Sequence, residues 1–389
     1  MNALNVQPFS VEISKTEQET LTKKLQLTRL PLGNSTRSWG EENGVTLGFM
    51  QEIIKYWLDE YDWEAEQRKI NQLPQFKANM ELEEWGAFDI HFVHARCSED
   101  STQGIPLLFL HGWPGNFTEV TRVLEPLLSA GYHVVAPSLP GFGFSSYAEK
   151  AGFKNWHSAE LMHRLMCGLG YKQYVVAGGD WGAMIASSMA RLYPEAIQAI
   201  HLTNVFVSPP PNKDELKYSD FELNSLQTMA WFADSQSAYG QVQKTKPRTL
   251  GFAMHDSPVG MLAWMADKLL LWADEYPWTK DEIITWTLLH YFPGPTTAFQ
   301  MYRENLPVFE SGEIPPGVED KYVKVPTGVS AFAKEVFMVP RSWAEIDFNI
   351  VKWQEQARGG HFPAYEWPQE LFLDIDSFMK AHWTGTDST

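Results

Sequence analysis

The sequence predicts an α/β fold with a doubly wound, mostly parallel sheet, an inserted helical cap and an N-terminal helical extension. Short apolar strands alternate with helical stretches between residues 105 and 202, a pattern typical of a parallel sheet covered by helices. The pattern breaks at Pro209-Pro210-Pro211, and a long stretch rich in aromatic residues and amphipathic helix follows. The 389 residues exceed the size of about 250–300 at which single cores stop growing, so a large insertion is expected.

The elements divide the chain into four parts. Residues 1–100 form an extension with helices at Lys15–Leu27 and Leu47–Glu60 and few strand signals before Ala87. Residues 101–205 and 321–389 form the two parts of the core, and residues 206–320 form the cap. The predicted core strands are Ile105–Leu110, His133–Ala136, Gln173–Ala177, Ile197–Leu202, Tyr322–Val325 and Ile350–Trp353. The predicted core helices are Phe117–Ala130, Ala159–Leu169, Ala183–Tyr193 and Leu371–Lys380.

Composition excludes several classes of partner. A formal charge of −17 argues against nucleic acid or an anionic membrane. The two cysteines are too few for a disulfide framework or a cysteine metal site, and we expect neither metal nor cofactor. The chain has no apolar run of about 18 residues and no signal-peptide pattern at its start, which favours a soluble, cytoplasmic protein without a membrane anchor.

The segment Gly178-Gly179-Asp180-Trp181-Gly182 has the outline of a nucleophile elbow, with aspartate where serine is usual. The elbow is a sharp strand-to-helix turn that needs small residues two positions either side of the nucleophile, and both glycines meet this need. Asp180 would lie at a helix N-terminus, where the macrodipole favours its carboxylate form. The alternative is that Asp180 is only the N-cap of that helix.

A site for an oxyanion is predicted in the turn His111-Gly112-Trp113-Pro114-Gly115, directly after an apolar strand. Its glycines let backbone N–H groups approach a reacting centre. The N–H groups of Trp113 and Trp181 would together hold a developing negative charge. The alternative is that this segment is only a tight strand-to-helix turn with no catalytic role.

A histidine and an acid are expected after the nucleophile. His361 follows the last predicted strand on the glycine-rich loop Arg358-Gly359-Gly360-His361-Phe362, and we expect it to act as general base on water. Glu335, in the loop after the preceding strand, is the first candidate for the carboxylate that orients it. Glu345 and Asp347 are competitors nearer the last strand.

An aspartate nucleophile indicates a reaction class. A carboxylate attacks a saturated carbon that bears a leaving group and forms an alkyl ester, which activated water then hydrolyses. An epoxide oxygen leaves as an alkoxide and needs an acid, whereas a halide needs only weak N–H donors. Phenols from the cap would supply that acid, and Tyr239, Tyr291 and Tyr302 are the candidates.

These motifs resemble those of the microsomal-type epoxide hydrolases of the α/β-hydrolase superfamily, over nearly the whole chain. Further matching segments are Lys246-Pro247, Asp256-Ser257-Pro258-Val259-Gly260, Tyr302-Arg303-Glu304-Asn305 and Val325-Pro326-Thr327-Gly328. Val329 and Ala333 depart from the family pattern, where an aromatic residue and a proline are usual. The microsomal membrane helix is absent, so the chain looks like the soluble microbial members, and a homodimer is expected from the resemblance.

The resemblance implies a role for each site residue. Asp180 would be the nucleophile, His361 the base, Glu335 the charge-relay acid, and Tyr239 and Tyr302 the donors to the epoxide oxygen. Tyr291 drops out. The implied partners are a small apolar epoxide and water, in epoxide metabolism or detoxification.

Two other functions stay open at this stage. A haloalkane or haloacid dehalogenase shares the aspartate nucleophile, and Trp181 would fit its halide site as well. A non-catalytic ligand-binding protein with the same fold is the second alternative.

Overall fold

The structure is a computed structural model that describes residues 4–31, 43–98 and 104–385. Its strands are β1 (Asn5–Pro8), β2 (Gln75–Leu82), β3 (Gly86–Ala95), β4 (Ile105–Leu110), β5 (Tyr132–Pro137), β6 (Tyr174–Gly178), β7 (Ile197–Leu202), β8 (Val323–Phe332) and β9 (Phe348–Gln356). Within the described residues these form one nine-stranded sheet of order β1-β2-β3-β5-β4-β6-β7-β8-β9. The pairs from β5 to β9 are parallel, and those among β1, β2, β3 and β5 are antiparallel.

The helices lie between the strands along the chain, and several of them pack on the sheet. Those before β7 are α1 (Lys15–Gln26), α2 (Leu47–Asp59), α3 (Trp63–Ile70), α4 (Thr121–Ser129), α5 (Asn155–Gly168) and α6 (Trp181–Leu192). Those after β7 are α7 (Asp220–Trp231), α8 (Ala238–Thr245), α9 (Pro247–Asp256), α10 (Pro258–Leu271), α11 (Lys280–Tyr291), α12 (Thr296–Ser311), α13 (Arg341–Asp347), α14 (Pro363–Glu366) and α15 (Pro368–His382). Parallel β4, buried between β5 and β6, forms the centre of the core.

Strands β1 and β2 lie before Ala87, where the sequence carries few strand signals. In the second half of β2, Ala78, Met80 and Leu82 are buried while the residues between them face solvent. Such one-sided burial is usual for an antiparallel strand and leaves polar residues in its sequence. Strand β1 has only four residues and depends on its pairing with β2.

Strand β8 is longer than predicted and runs through Pro326-Thr327-Gly328, where the sequence suggested an end. The pairing of β8 with β9 shifts register around Thr327, which accommodates a residue without an N–H. Strand β8 therefore ends three residues before Glu335 and directs the following loop to the carboxyl edge of the sheet.

A helical insertion, α7 to α12, lies between β7 and β8. The N-terminal helices pack against it: Lys24 of α1 pairs with Asp256 of α9 at 2.8 Å, and the Tyr56 hydroxyl of α2 donates to Asp281 of α11 at 2.9 Å. The insertion is thus held from one side by the N-terminal segment, and it covers the carboxyl edge of the sheet with the aromatic residues described below.

Candidate active site

Asp180 lies in a sharp turn between β6 and α6. Its backbone has φ 50° and ψ −126°, a conformation that non-glycine residues rarely adopt and that costs about 1–3 kcal/mol. A Cβ added at Gly178 would lie 2.8 Å from the backbone of Gly182, and one added at Gly182 would overlap the carbonyl oxygen of Leu110. Both positions therefore require glycine. The turn has the strained geometry of a nucleophile elbow, which holds its central side chain away from the sheet.

The Asp180 carboxylate faces the turn after β4. Its Oδ1 accepts a hydrogen bond from the backbone N–H of Trp113 at 2.8 Å, and it makes no capping bond to α6. Burial raises the pKa of Asp180, while His361 and the backbone N–H groups of Trp113 and Trp181 act in the opposite direction. The two N–H groups that the sequence predicts for an oxyanion therefore both act on this carboxylate.

His361 and Glu335 meet from the loops that follow β9 and β8. Nδ1 of His361 lies 3.0 Å and 3.1 Å from the two carboxylate oxygens of Glu335, and Nε2 lies 3.9 Å from Oδ2 of Asp180. Burial lowers the pKa of His361, but the charge and hydrogen bond of Glu335 and the charge of Asp180 outweigh it and raise the pKa to about 9. The imidazole is thus oriented by one carboxylate with its other nitrogen directed at the second.

The competing carboxylates lie elsewhere. Glu345 is exposed and pairs with Arg341 at 2.7 Å, and Asp347 pairs with Lys321 at 2.7 Å. Glu335 is 2% exposed and also accepts from the N–H of Phe337 at 3.0 Å. The geometry therefore places Glu335, and neither competitor, against His361.

Tyr239 of α8 and Tyr302 of α12 approach Asp180 from the helical insertion. The Tyr239 ring stacks on Trp113 at 5.0 Å, and the Tyr302 ring meets Trp181 edge-on at 4.8 Å. Burial raises the pKa of both phenols far above that of free tyrosine, so both are protonated at neutral pH. Tyr291 instead lies half-buried at the end of α11 beside Lys24, outside this group.

One cavity brings these groups together. It has a volume of about 140 Å³ and is lined by Asp180, His361, Tyr239 and Tyr302. Its other walls are mostly aromatic: Trp181, Phe206, Phe232, Trp272, Phe309 and Phe337. We call this space the substrate cavity, since an apolar pocket with a few convergent polar groups is the usual form of a small-molecule site.

Known proteins resemble the chain over nearly its full length. A family model described as "Epoxide hydrolase N terminus" matches residues 6–120, and one described as "alpha/beta hydrolase fold" matches residues 105–260. Epoxide hydrolase 1 of Sus scrofa is 31% identical, covering 96% of this chain and 88% of its own. The chain belongs to the epoxide hydrolase family.

Solved structures agree with this assignment. The epoxide hydrolase of Aspergillus niger superposes with a TM-score of 0.87 at 29% identity, covering 98% of this chain and 97% of that chain. The juvenile hormone epoxide hydrolase of the silkworm Bombyx mori gives a TM-score of 0.85 at 28% identity, covering 97% and 95%. The resemblance and the α/β-hydrolase fold predicted from the sequence are confirmed.

Two supporting groups in this epoxide hydrolase were missed by the sequence reasoning. The Glu366 carboxylate accepts hydrogen bonds from the N–H groups of Asp274, Gly360 and Phe362 at 2.6, 2.9 and 2.8 Å, which fixes the loop that carries His361. Asn204 Oδ1 accepts from the N–H of Asp180 at 2.8 Å. The bonds from Asp274 to Glu366 and from Asp180 to Asn204 join separate segments of the chain, so no short sequence pattern marks them.

A second, smaller cavity is also lined by Asp180 and His361. It has a volume of about 30 Å³ by the same measure. Its lining includes Asp180, His361, Gly112, Gly115 and Glu119. No tyrosine lines it. We call it the rear cavity. Glu119 is a third site residue that the sequence reasoning did not single out.

Membrane-spanning helices and metal-binding clusters are both absent from the part of the chain that the structure describes. None of the helices in residues 4–31, 43–98 and 104–385 is both long enough and apolar enough to cross a bilayer. Over the same residues, no cluster of three or more histidine, cysteine, aspartate or glutamate side chains has the arrangement of a metal site.

Proposed function

We propose that this epoxide hydrolase forms a covalent ester between its substrate and Asp180, which water then hydrolyses to release a vicinal diol. The observation that carries the proposal is the grouping of Asp180, Tyr239, Tyr302 and His361 around one cavity. A carboxylate supplies the nucleophile, a phenol the acid and an imidazole the base. Opening a strained ether and cleaving the resulting ester uses all of them.

In the first step, Oδ2 of Asp180 attacks a ring carbon of the epoxide. Oδ1 is held by the N–H of Trp113, which leaves Oδ2 as the free nucleophilic oxygen. As the new C–O bond forms, the ring C–O bond breaks, and the departing oxygen takes a proton from Tyr239 or Tyr302. The products are a hydroxyalkyl ester and a phenolate.

In the second step, water attacks Cγ of Asp180 and gives a proton to Nε2 of His361. Alkylation has removed the charge of Asp180, one of the causes that raise the pKa of His361, so the imidazole can accept a proton at this stage. The negative charge develops on Oδ1 between the N–H groups of Trp113 and Trp181, where one such donor is worth about 10²–10³ in rate. As the ester C–O bond breaks, His361 passes its proton to the departing alkoxide and the diol is released. The proton left on the Asp180 carboxyl group restores the phenol.

The phenols favour an epoxide over a halide as the leaving group. An alkoxide is a strong base that needs a proton, and two buried phenols that keep their protons supply it. A halide leaves without a proton and would need only the N–H groups of tryptophan side chains. Chloride release without diol formation would reverse this ranking.

A non-catalytic binding protein would not account for the backbone at Asp180. Strain of this size persists where it serves a function, because packing elsewhere must offset it. The strained turn at Asp180 places its carboxylate between backbone N–H donors, two phenols and an imidazole. Simple ligand binding would not need this arrangement.

We propose that residues 206–320 act as a cap, between core parts at 101–205 and 321–389 and after an extension at 1–100. The aromatic walls of the substrate cavity support a small apolar epoxide as substrate. A homodimer and a role in detoxification stay predictions from the resemblance, and a cytoplasmic location stays a prediction from the sequence pattern.

A single turnover in ¹⁸O-water tests the covalent mechanism. With enzyme in excess over a panel of epoxides, the first diol should carry unlabelled oxygen from Asp180, and the label should enter the Asp180 carboxylate. Label in that first diol would mean direct attack by water, which contradicts the proposal. Asp180→Asn serves as the control for background hydrolysis.

A further inference from the structure

Glu119 has a carboxyl group in the rear cavity. Neither the alkylation of Asp180 nor the hydrolysis by His361, as proposed, uses this group. Glu119 lies in the 3₁₀ turn Phe117–Val120 that leads into α4, and the surface that it keeps accessible lines the cavity. Its neighbours Phe117 and Val120 are fully buried, so the turn is anchored on both sides. The backbone N–H of Asn116 hydrogen-bonds to the Glu119 carboxyl group and helps to hold it in place.

Gly115 makes room for this carboxyl group. A Cβ added at Gly115 would overlap Oε1 of Glu119, so any larger residue would displace it. The backbone of Gly115 is not in the left-handed region that requires glycine. Position 115 therefore needs glycine because the Glu119 carboxyl group occupies the place of a side chain, and not because of the backbone conformation.

The two cavities lie against the same catalytic pair but differ in their other polar groups. Asp180 and His361 line both, the two phenols line only the substrate cavity, and Glu119 lines only the rear cavity. The epoxide therefore reacts where the phenols are. The rear cavity adjoins both the base and the ester carbon without adjoining the phenols.

The rear cavity has the size and partners that a water molecule needs. A water requires about 10–15 Å³ of this kind of space and two to four polar partners, and the cavity offers about 30 Å³. Most other walls are apolar. Among the polar members, Nε2 of His201 is bonded to Ser330 at 3.1 Å, whereas its buried Nδ1 has no hydrogen-bond partner among the described residues. Glu119 lies close enough to His361 for its carboxyl group, when ionised, to act on the imidazole.

We propose that Glu119 holds and orients the water that hydrolyses the Asp180 ester. The inference rests on the proposed function and deepens it. The water would hydrogen-bond to the Glu119 carboxyl group and to Nε2 of His361. Its oxygen bonds to Cγ of Asp180, its proton passes to His361, and the ester C–O bond breaks as His361 protonates the departing alkoxide. Glu119 gains and loses no proton.

The protonation state of Glu119 suits this role. Burial raises the pKa of Glu119 to about 8 against the opposing effect of His361, and the charge of Asp180 adds to the rise. At neutral pH the group is then a neutral acid that can both donate to and accept from water. A neutral neighbour also adds no charge that would keep a proton on His361.

Substitution of Glu119 should slow one half-reaction only. In Glu119→Leu we expect hydrolysis of the ester to slow by about 10²-fold, the effect of losing the position of a reactant, with alkylation unchanged. Then kcat and KM fall together, kcat/KM stays within about twofold of wild type, and the alkylated enzyme accumulates by intact mass. Glu119→Gln keeps the size and hydrogen-bonding groups and should recover most of the rate.

Gly115→Ala provides an independent test if Glu119→Leu fails to fold. The added Cβ displaces the carboxyl group without removing it, so the same fall of kcat and KM is expected. The double variant Gly115→Ala/Glu119→Gln should be no slower than the slower single variant, because both act on one group. Glu125→Gln, at an exposed position of α4, is the matched control with wild-type kinetics.

Two outcomes would overturn the inference. Wild-type hydrolysis in a folded Glu119→Leu enzyme would show that the carboxyl group is not needed. An equal slowing of alkylation and hydrolysis would show a merely structural role. If the proposed function itself were wrong, no covalent adduct would form in the wild-type enzyme or in His361→Gln. That result can be told apart from both outcomes for Glu119→Leu.

Discussion

Nε2 of His361 lies 3.9 Å from Oδ2 of Asp180, too far for a hydrogen bond, while its Nδ1 lies 3.0 Å from Glu335. An alcohol nucleophile must lose a proton and needs direct contact with its base. A carboxylate has no proton to lose. The gap between these two atoms fits a base whose task is to activate water beside an ester.

Asp180→Asn should abolish diol formation and raise stability. An amide cannot form the ester, so we expect kcat to fall by at least about 10⁴-fold. Burial raises the pKa of Asp180, which means that folding disfavours its charged form. A neutral amide removes that cost, and the thermal midpoint at pH 8 should rise. A fall in the midpoint would contradict the electrostatic argument.

His361→Gln should trap the covalent intermediate. Alkylation needs no base, so a burst of one equivalent should form at nearly the wild-type rate. Hydrolysis should slow by about 10²–10⁴-fold. Rapid quenching followed by intact-mass analysis measures both steps. Slow formation of the adduct would argue that His361 also acts in the first step.

The raised pKa of His361 should also shape stability against pH. A base whose pKa is raised on folding, here from 6.5 to about 9, stabilises the fold fully below pH 6.5. That stabilisation is lost as pH rises through the folded value. The difference in thermal midpoint between wild type and His361→Gln should therefore fall between about pH 6.5 and 9. The control is His255→Gln. Burial lowers the pKa of His255 and does not raise it, so the corresponding difference should show no such fall.

Parts of this site follow from sequence because their signals are local. The glycines around Asp180 and the turn at Trp113 follow from backbone clearance, which depends on a few adjacent residues. Glu335 required the spacing before His361. The choice of Tyr239 and Tyr302 over Tyr291 required the resemblance, because helix packing decides which tyrosine faces the cavity.

Other parts could not be predicted. Glu119 is one carboxylate among 48 acidic residues, and its place depends on burial beside Gly115. Glu366 holds backbone groups from separate loops, so no short pattern marks it. Strand β8 was cut short in the prediction because Pro326 and Gly328 usually end strands, whereas a register shift accommodates them here.

Tyr239→Phe and Tyr302→Phe should slow alkylation. Each removes one donor to the leaving oxygen, an interaction made mainly in the transition state, so we expect kcat/KM to fall by about 10²-fold. The double variant should lose nearly all diol formation, because no buried phenol then remains at the oxygen. Tyr291→Phe, outside the cavity, is the matched control. Unchanged kcat/KM in both single variants would assign the acid elsewhere.

Gly182→Ala should disrupt the elbow. The added Cβ would overlap the carbonyl oxygen of Leu110 at the end of β4, and both are backbone groups of the core with little freedom to move. We expect a loss of about 1–3 kcal/mol in the free energy of unfolding and a large loss of kcat, because Asp180 would leave the N–H of Trp113. Urea unfolding and initial rates measure the two effects. Gly48→Ala in α2 is the matched control: nothing lies within 4 Å of its added Cβ, and alanine is the better helix former, so stability should rise slightly with activity unchanged. Equal behaviour of the two variants would show that the close contact at Gly182 is not what shapes the turn.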